Sequence, residues 1–277
     1  MTGALDANRA ARDETGDARR IVMSRTISLG LGALAAAAGL VAWRAYPREL
    51  VARFCVGVID AGLVVAAMAW RLSARPDLGE REHGRLPAGG IGIATTVTLF
   101  RGGLISLVAG FIFVPEPGGR LVWLPGGLYA VAVVCDRYDG VLARRLGQVT
   151  ALGRWLDVEV DAFGLLIAPL VGVRWGRLPV WYLLLGAAYY LFAWGLWARR
   201  RLGLAVHAER LRPSRAARFF AGIQMTVTAV ALFPVLPRWV TVGAATVAML
   251  PTLGLFVRDW FIVIGRLPAI ETPPQRW

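Results

Sequence analysis

Asp136, Asp139, Asp157 and Asp161 stand within 26 residues of a chain that is otherwise largely apolar, in the runs Asp136-Arg-Tyr-Asp139-Gly140-Val-Leu-Ala143-Arg144 and Gly153-Arg-Trp-Leu-Asp157-Val-Glu-Val-Asp161. Ionised carboxylates are costly in hydrocarbon and rarely occur in membrane helices without a partner or a task. At spacings of three and four residues they align on a helix face. Four carboxylates brought together repel one another unless cations neutralise them, and two divalent ions about 3.5–4 Å apart would do so. Gly140, Ala143 and Gly153 lack bulk and let backbone and ligand approach closely. Arg144, one turn beyond Asp139, suits a diphosphate oxygen. Such a set fits phosphoryl-type transfer, in which charge is neutralised on a departing phosphate and one carboxylate takes a proton from an attacking hydroxyl.

Positioning these groups requires two helices. On a helix over 121–145, Asp136, Asp139, Gly140, Ala143 and Arg144 share one face at about 100° per residue. On the next helix, Gly153, Asp157 and Asp161 recur at four-residue intervals. A short connection lets the two run antiparallel with these faces opposed.

Composition places the helices in a membrane. The chain has 277 residues, is 57% hydrophobic and has a mean hydropathy of +0.56. Uncharged runs of spanning length occur at Thr26–Trp43, Leu178–Ala198, Phe219–Pro237 and Trp239–Val257. The reading is an all-α polytopic membrane protein. A soluble chain this short has no interior able to bury several helices that are apolar on every side. The organisation expected is a flexible cytosolic tail (1–25), an accessory transmembrane helix pair (26–70), a charged cytosolic linker (71–89), a six-helix transmembrane core (90–265) and a cytosolic tail (266–277). Core spans are expected at about 92–115, 121–145, 150–173, 178–197, 217–236 and 239–265. Arg19, Arg20 and Arg25 before an Ala/Gly-rich run imitate a signal peptide, but an uncleaved first helix is preferred.

The net charge is +13, and all 31 basic residues are arginine. They gather in loops, seven of them between 199 and 218, as the positive-inside rule requires of cytosolic segments; nucleic acid is a poor alternative partner. Both termini and the aspartates then lie on the cytosolic side of the cell membrane. Cys55 and Cys135 fall within spans and suggest no disulfide framework, and His83 and His207 fall in charged loops. Carboxylates without paired histidines or cysteines favour magnesium, manganese or calcium over zinc. Asp60, near the middle of the second helix, is a functional candidate as an intramembrane carboxylate, but the preferred expectation is that it bonds a neighbouring helix or pairs with a basic residue such as Arg53. Glu159, facing away from Asp157 and Asp161, is expected to serve structure.

The run D-x-x-D-G-x-x-A-R-x8-G-x3-D-x3-D resembles the signature of the CDP-alcohol phosphatidyltransferase family at all eight fixed positions. Thr98 and Arg101 also resemble that family's N-x-x-T-x-x-R opening, with Thr95 in place of the asparagine. The resemblance implies a six-helix core and a transfer dependent on Mg2+ or Mn2+. A hydroxyl attacks a CDP-linked donor (CDP-diacylglycerol or a CDP-alcohol), at least one substrate being a lipid, and CMP leaves. By the same resemblance Asp136, Asp139 and Asp157 are metal ligands, and Asp161 is a further ligand, the base that deprotonates the acceptor, or both. Gly140, Ala143, Arg144 and Gly153 line the CDP site, and a homodimer is implied. Arg154 and the 199–218 cluster are further candidates for binding a phosphorylated acceptor or anionic headgroups. A divalent-cation transporter or channel and a non-catalytic scaffold of the same fold are the alternative readings.

Overall fold

Long uncharged segments leave the backbone no hydrogen-bonding partner in lipid except itself, so helices are the expected solution. In the computed structural model every regular element among the described residues is helical. The structure describes residues 2–73, 93–145, 151–207, 211 and 215–268, with side chains at 21–73, 95–138, 151–207, 211 and 216–268. The elements are α1 (Thr2–Ala45), α2 (Arg48–Ser73), α3 (Ile93–Gly110), α4 (Leu124–Arg145), α5 (Ala151–Arg174), α6 (Leu183–Arg201), α7 (Arg215–Leu232) and α8 (Arg238–Val263). Short 3-10 turns at Phe111–Phe113, Gly119–Trp123 and Val180–Tyr182 take up ends that the sequence assigned to longer spans.

Five of these helices contain a segment long and apolar enough to cross a membrane by length and composition: Ile21–Ala45, Arg48–Ser73, Thr95–Phe113, Val180–Arg201 and Arg238–Val263. Ala216–Leu232 is apolar but shorter. The aspartate-bearing α4 and α5 are interrupted by their own ionisable residues. This is an all-α polytopic membrane protein.

One local expectation fails. Residues 2–25, read as a flexible tail, are helical and continuous with the first span. Five alanines at positions 4, 7, 10, 11 and 18 are strong helix formers. The linker over 74–92 and the terminal residues from 269 onward lie outside the described residues.

The helix α2 packs on α3 through close approaches at glycine. A Cβ on Gly110 would come within 2.6 Å of Val58 and 2.8 Å of Phe54, and one on Gly102 within 2.6 Å of Val65. Gly102 directly follows Arg101, so α2 buttresses the turn of α3 that supplies the site. At the end remote from the aspartates, Phe111 packs edge-on against Phe54 at 4.9 Å and against Trp175 at 5.8 Å between ring centroids. Backbone and side chains are tied together there. Tyr46 donates from its hydroxyl to the Pro115 carbonyl (3.0 Å), and Trp175 from Nε1 to that of Val114 (3.4 Å). Arg177 pairs with Glu116 and donates to the Leu232 carbonyl (3.1 Å), while Thr241 donates to the Arg177 carbonyl (2.6 Å). Every inter-helix connection at that end is thereby linked.

A buried polar network joins the later helices. The Tyr182 hydroxyl donates to Gln224 Oε1 at 2.7 Å, and Gln224 Nε2 reaches the Ala248 carbonyl (2.5 Å) and Thr252 Oγ1 (3.0 Å). Gln224 is fully buried, so satisfying both ends of its amide fixes the register of α7 against α8. The contact of α6 with α5 depends on Gly186. A Cβ there would lie 2.6 Å from the Leu165 carbonyl oxygen and 2.8 Å from Leu166 Cα. Backbone cannot swing aside as a side chain can. Gly186→Ala is expected to destabilise the protein by about 1–3 kcal/mol, read as a lower thermal unfolding midpoint in detergent. An unchanged midpoint would show that the two helices separate freely.

Candidate active site

Three helices deliver one charge cluster. Arg101 enters from α3, Asp136 from α4, and Asp157 and Asp161 from successive turns of α5. Arg101 Nη1 lies 2.9 Å from Asp136 Oδ1 and 2.5 Å from Asp157 Oδ1, and Nη2 pairs with Asp161. The planar guanidinium presents several donors in a fixed fork, which lets one side chain engage three carboxylates. Thr98, one helical turn earlier on α3, is buried at 1% exposure.

The cluster has an inside and an outside. The Arg101 side chain is 3% exposed, whereas those of Asp136, Asp157 and Asp161 are 28%, 35% and 28% exposed. The arginine is therefore the floor, and the carboxylates face an opening. One oxygen from each of the three lies within 4.8 Å of the others. One positive and three negative charges leave a formal net of 1 − 3 = −2 among these four groups. That surplus calls for added positive charge, and an all-oxygen donor set is the kind that Mg2+, Mn2+ and Ca2+ accept. The residues present fit such an ion.

A family model described as CDP-alcohol phosphatidyltransferase matches residues 91–254. The chain belongs to this family. As a CDP-alcohol phosphatidyltransferase it is a transferase of phospholipid synthesis acting at the membrane, and the family is known to use divalent metals. No curated protein matches the chain.

The remaining motif positions of this CDP-alcohol phosphatidyltransferase fall as follows. Asp139, Gly140, Ala143 and Arg144 occupy the last turns of α4, with their side chains outside the described residues. Gly153 is buried on α5, one turn before Asp157 and two before Asp161. Glu159 is not among the carboxylates of the cluster and lies near Tyr189 and Tyr190 of α6. Of the basic cluster after α6, Arg199 donates to the Ala205 carbonyl (2.9 Å from Nη2), and Arg201 lies over the Trp197 ring at 5.7 Å. Residues 208–210 and 212–214 lie outside the described residues, as does His83. The His207 amide donates to the Val263 carbonyl, and Cys55 and Cys135 are free thiols. Asp60 does not behave as expected: it is exposed on α2, and no described residue pairs with it.

Two residues gain importance that sequence reasoning did not give them. Arg101 was noted only as part of a family resemblance, although a lone arginine within an apolar run already demands acidic partners. Tyr129 lies on α4 seven residues before Asp136, on the same face, and its buried hydroxyl has no hydrogen-bond partner among the described residues. Its ring packs beside Gly164 of α5, at 3.6 Å from where a Cβ would stand. No sequence pattern distinguished it from an ordinary core aromatic.

Proposed function

We propose that this protein transfers a substituted phosphate from a CDP-linked donor, CDP-diacylglycerol or a CDP-alcohol, to a hydroxyl acceptor with release of CMP, at least one substrate being a lipid. The observation that carries the reading is the convergence of Asp136, Asp157 and Asp161 over the buried guanidinium of Arg101. In this reading Asp136, Asp139, Asp157 and Asp161 hold two divalent cations, Mg2+ or Mn2+. Bound there, the ions would neutralise the diphosphate and the charge that develops as it is cleaved.

The protein's own groups do the rest. Asp161 accepts the proton of the acceptor hydroxyl as its oxygen bonds to the β-phosphorus. The bond from that phosphorus to the bridging oxygen breaks, and its electron pair leaves with CMP. Arg101 holds Asp157 and Asp161 in place from below, so that neither carboxylate must reorganise. Arg144 binds the diphosphate, and the small residues Gly140, Ala143 and Gly153 let the nucleotide approach the helix backbones. The loop distribution of arginine supports a cytosolic site and cytosolic termini in the cell membrane, with 90–265 as the catalytic core and 26–70 as an accessory pair. The family resemblance supports a homodimer.

The test is CMP release by purified protein in detergent with Mg2+ or Mn2+. CDP-diacylglycerol is offered with inositol phosphate, glycerol phosphate, serine, inositol or glycerol, and CDP-choline-type donors with diacylglycerol. One pair is expected to yield CMP. Arg144→Ala is expected to raise the apparent KM for that donor about tenfold or more, with a smaller effect on kcat. An unchanged donor KM removes Arg144 from the diphosphate. No CMP from any pair counts against the reaction.

A further inference from the structure

Asp60 lies near the middle of the 26-residue helix α2, at position 13, and is exposed. Around it on the same surface, Val56, Ile59, Leu63 and Val64 are also exposed. The carboxylate therefore projects from an apolar ridge into the hydrocarbon interior, outside the bundle and away from the aspartate cluster. No described residue pairs with it. Arg53, on the same helix, is seven residues away, about 10 Å along the axis, too far for an ion pair.

A carboxylate that faces lipid at this depth without a partner among the described residues is held in its ionised form by a cation brought to that face from outside the bundle. Headgroups do not reach the bilayer centre, which excludes a lipid cation. A second copy related by a two-fold axis along the membrane normal would set Asp60 against Asp60 and leave Arg53 at a different depth from either. Among the described residues Arg101 is engaged by three aspartates, and Arg137 follows Asp136 on α4 at the level of that cluster, which the Gly102–Val65 and Gly110–Val58 approaches set further along α2 than Asp60; the arginines of the other spans lie toward their ends. Charge complementarity thus selects a different molecule.

We infer that the Asp60 face of α2 docks a transmembrane helix of another membrane protein, one presenting an arginine or lysine at mid-bilayer depth. The apolar ridge supplies packing on either side, and the ion pair sets register and partner choice, because mispairing leaves a charge uncompensated in lipid. The inference does not depend on the catalytic reading.

The experiment places a photo-crosslinking amino acid at Val56 or Leu63 of the full-length chain in the membranes of its source cells, with Leu191 on the lipid-exposed face of α6 as control. The expected result is one discrete heteromeric adduct from the α2 positions and none from Leu191. Peptide mapping of the adduct should find a partner helix with a central arginine or lysine. Asp60→Leu should lower adduct yield about tenfold or more, and alanine at the partner's basic residue should do the same. Asp60→Asn keeps the shape without the charge, and it decides the matter if Asp60→Leu protein fails to elute as a folded species. An adduct with a second copy of this chain, lipid adducts alone, a partner helix without a basic residue, or a yield indifferent to Asp60→Asn would each overturn the inference.

Discussion

Asp161→Asn is expected to reduce CMP release by about three orders of magnitude while the protein remains folded in the membrane. Proton abstraction by a positioned group typically contributes about 10²–10⁴-fold, and an amide can neither accept that proton nor ligate a cation as a carboxylate does. The fold should survive, because Arg101 keeps its pairing with Asp136 and Asp157. The measurement is single-turnover CMP formation at saturating donor and acceptor, alongside size-exclusion elution in detergent. Substitution of one member of a group that acts as a unit removes most of its effect, so Asp157→Asn should approach the same residual rate. Full activity in Asp161→Asn would remove the base from this position. Loss of the folded peak would instead make the residue structural.

Arg101→Met should have the largest effect on stability of any single change in the cluster. Methionine fills much of the same volume but leaves three carboxylates facing one another with no cation below them. Breaking a buried pair in this way costs about 3–5 kcal/mol. For a chain of this size that corresponds to a fall in thermal midpoint on the order of 10 °C. The loss should depend on conditions. Added Mn2+ supplies positive charge to the same oxygens, so the variant should recover more of its midpoint with the ion than the native protein gains. Arg101→Lys should fall between the two, since an ammonium is a point charge and cannot span the guanidinium's separate contacts. Equal midpoints for native and Arg101→Met proteins without metal would show that the three ion pairs contribute nothing to holding α3, α4 and α5 together.

Helix content and the aspartate stripes were legible because both follow from local periodicity. Uncharged runs define spans by length, and spacings of three and four residues define faces. The convergence on Arg101 was not legible in the same way. It joins positions 101, 136, 157 and 161 across three helices, and no spacing rule encodes which faces of non-adjacent helices meet. Asp60 failed for a related reason: its position on the helix was readable, but whether that side of α2 faced a neighbour or lipid depended on how the accessory pair docked. Glu159 was assigned away from the cluster by angle alone, while its nearness to Tyr189 and Tyr190 required the α5–α6 packing. At the amino terminus, charge was read as irregular chain although its alanines favour helix.

The tied end of the bundle sets where motion can occur. Tyr46–Pro115, Trp175–Val114, Arg177–Glu116 and Thr241–Arg177 clamp the connections remote from the aspartates. Helices joined so firmly at one end separate only by pivoting about it, as the arms of tweezers do. The 22-residue α4 is about 33 Å long, so a tilt of about 5° moves its far tip by about 3 Å. Such leverage is smallest at the clamp and greatest over the last turns of α4, beyond the point where Arg101 ties Asp136 to α3 and α5. A bulky donor can thus be admitted by small angular changes, without exposing the polar contacts that keep the bundle closed at its other end.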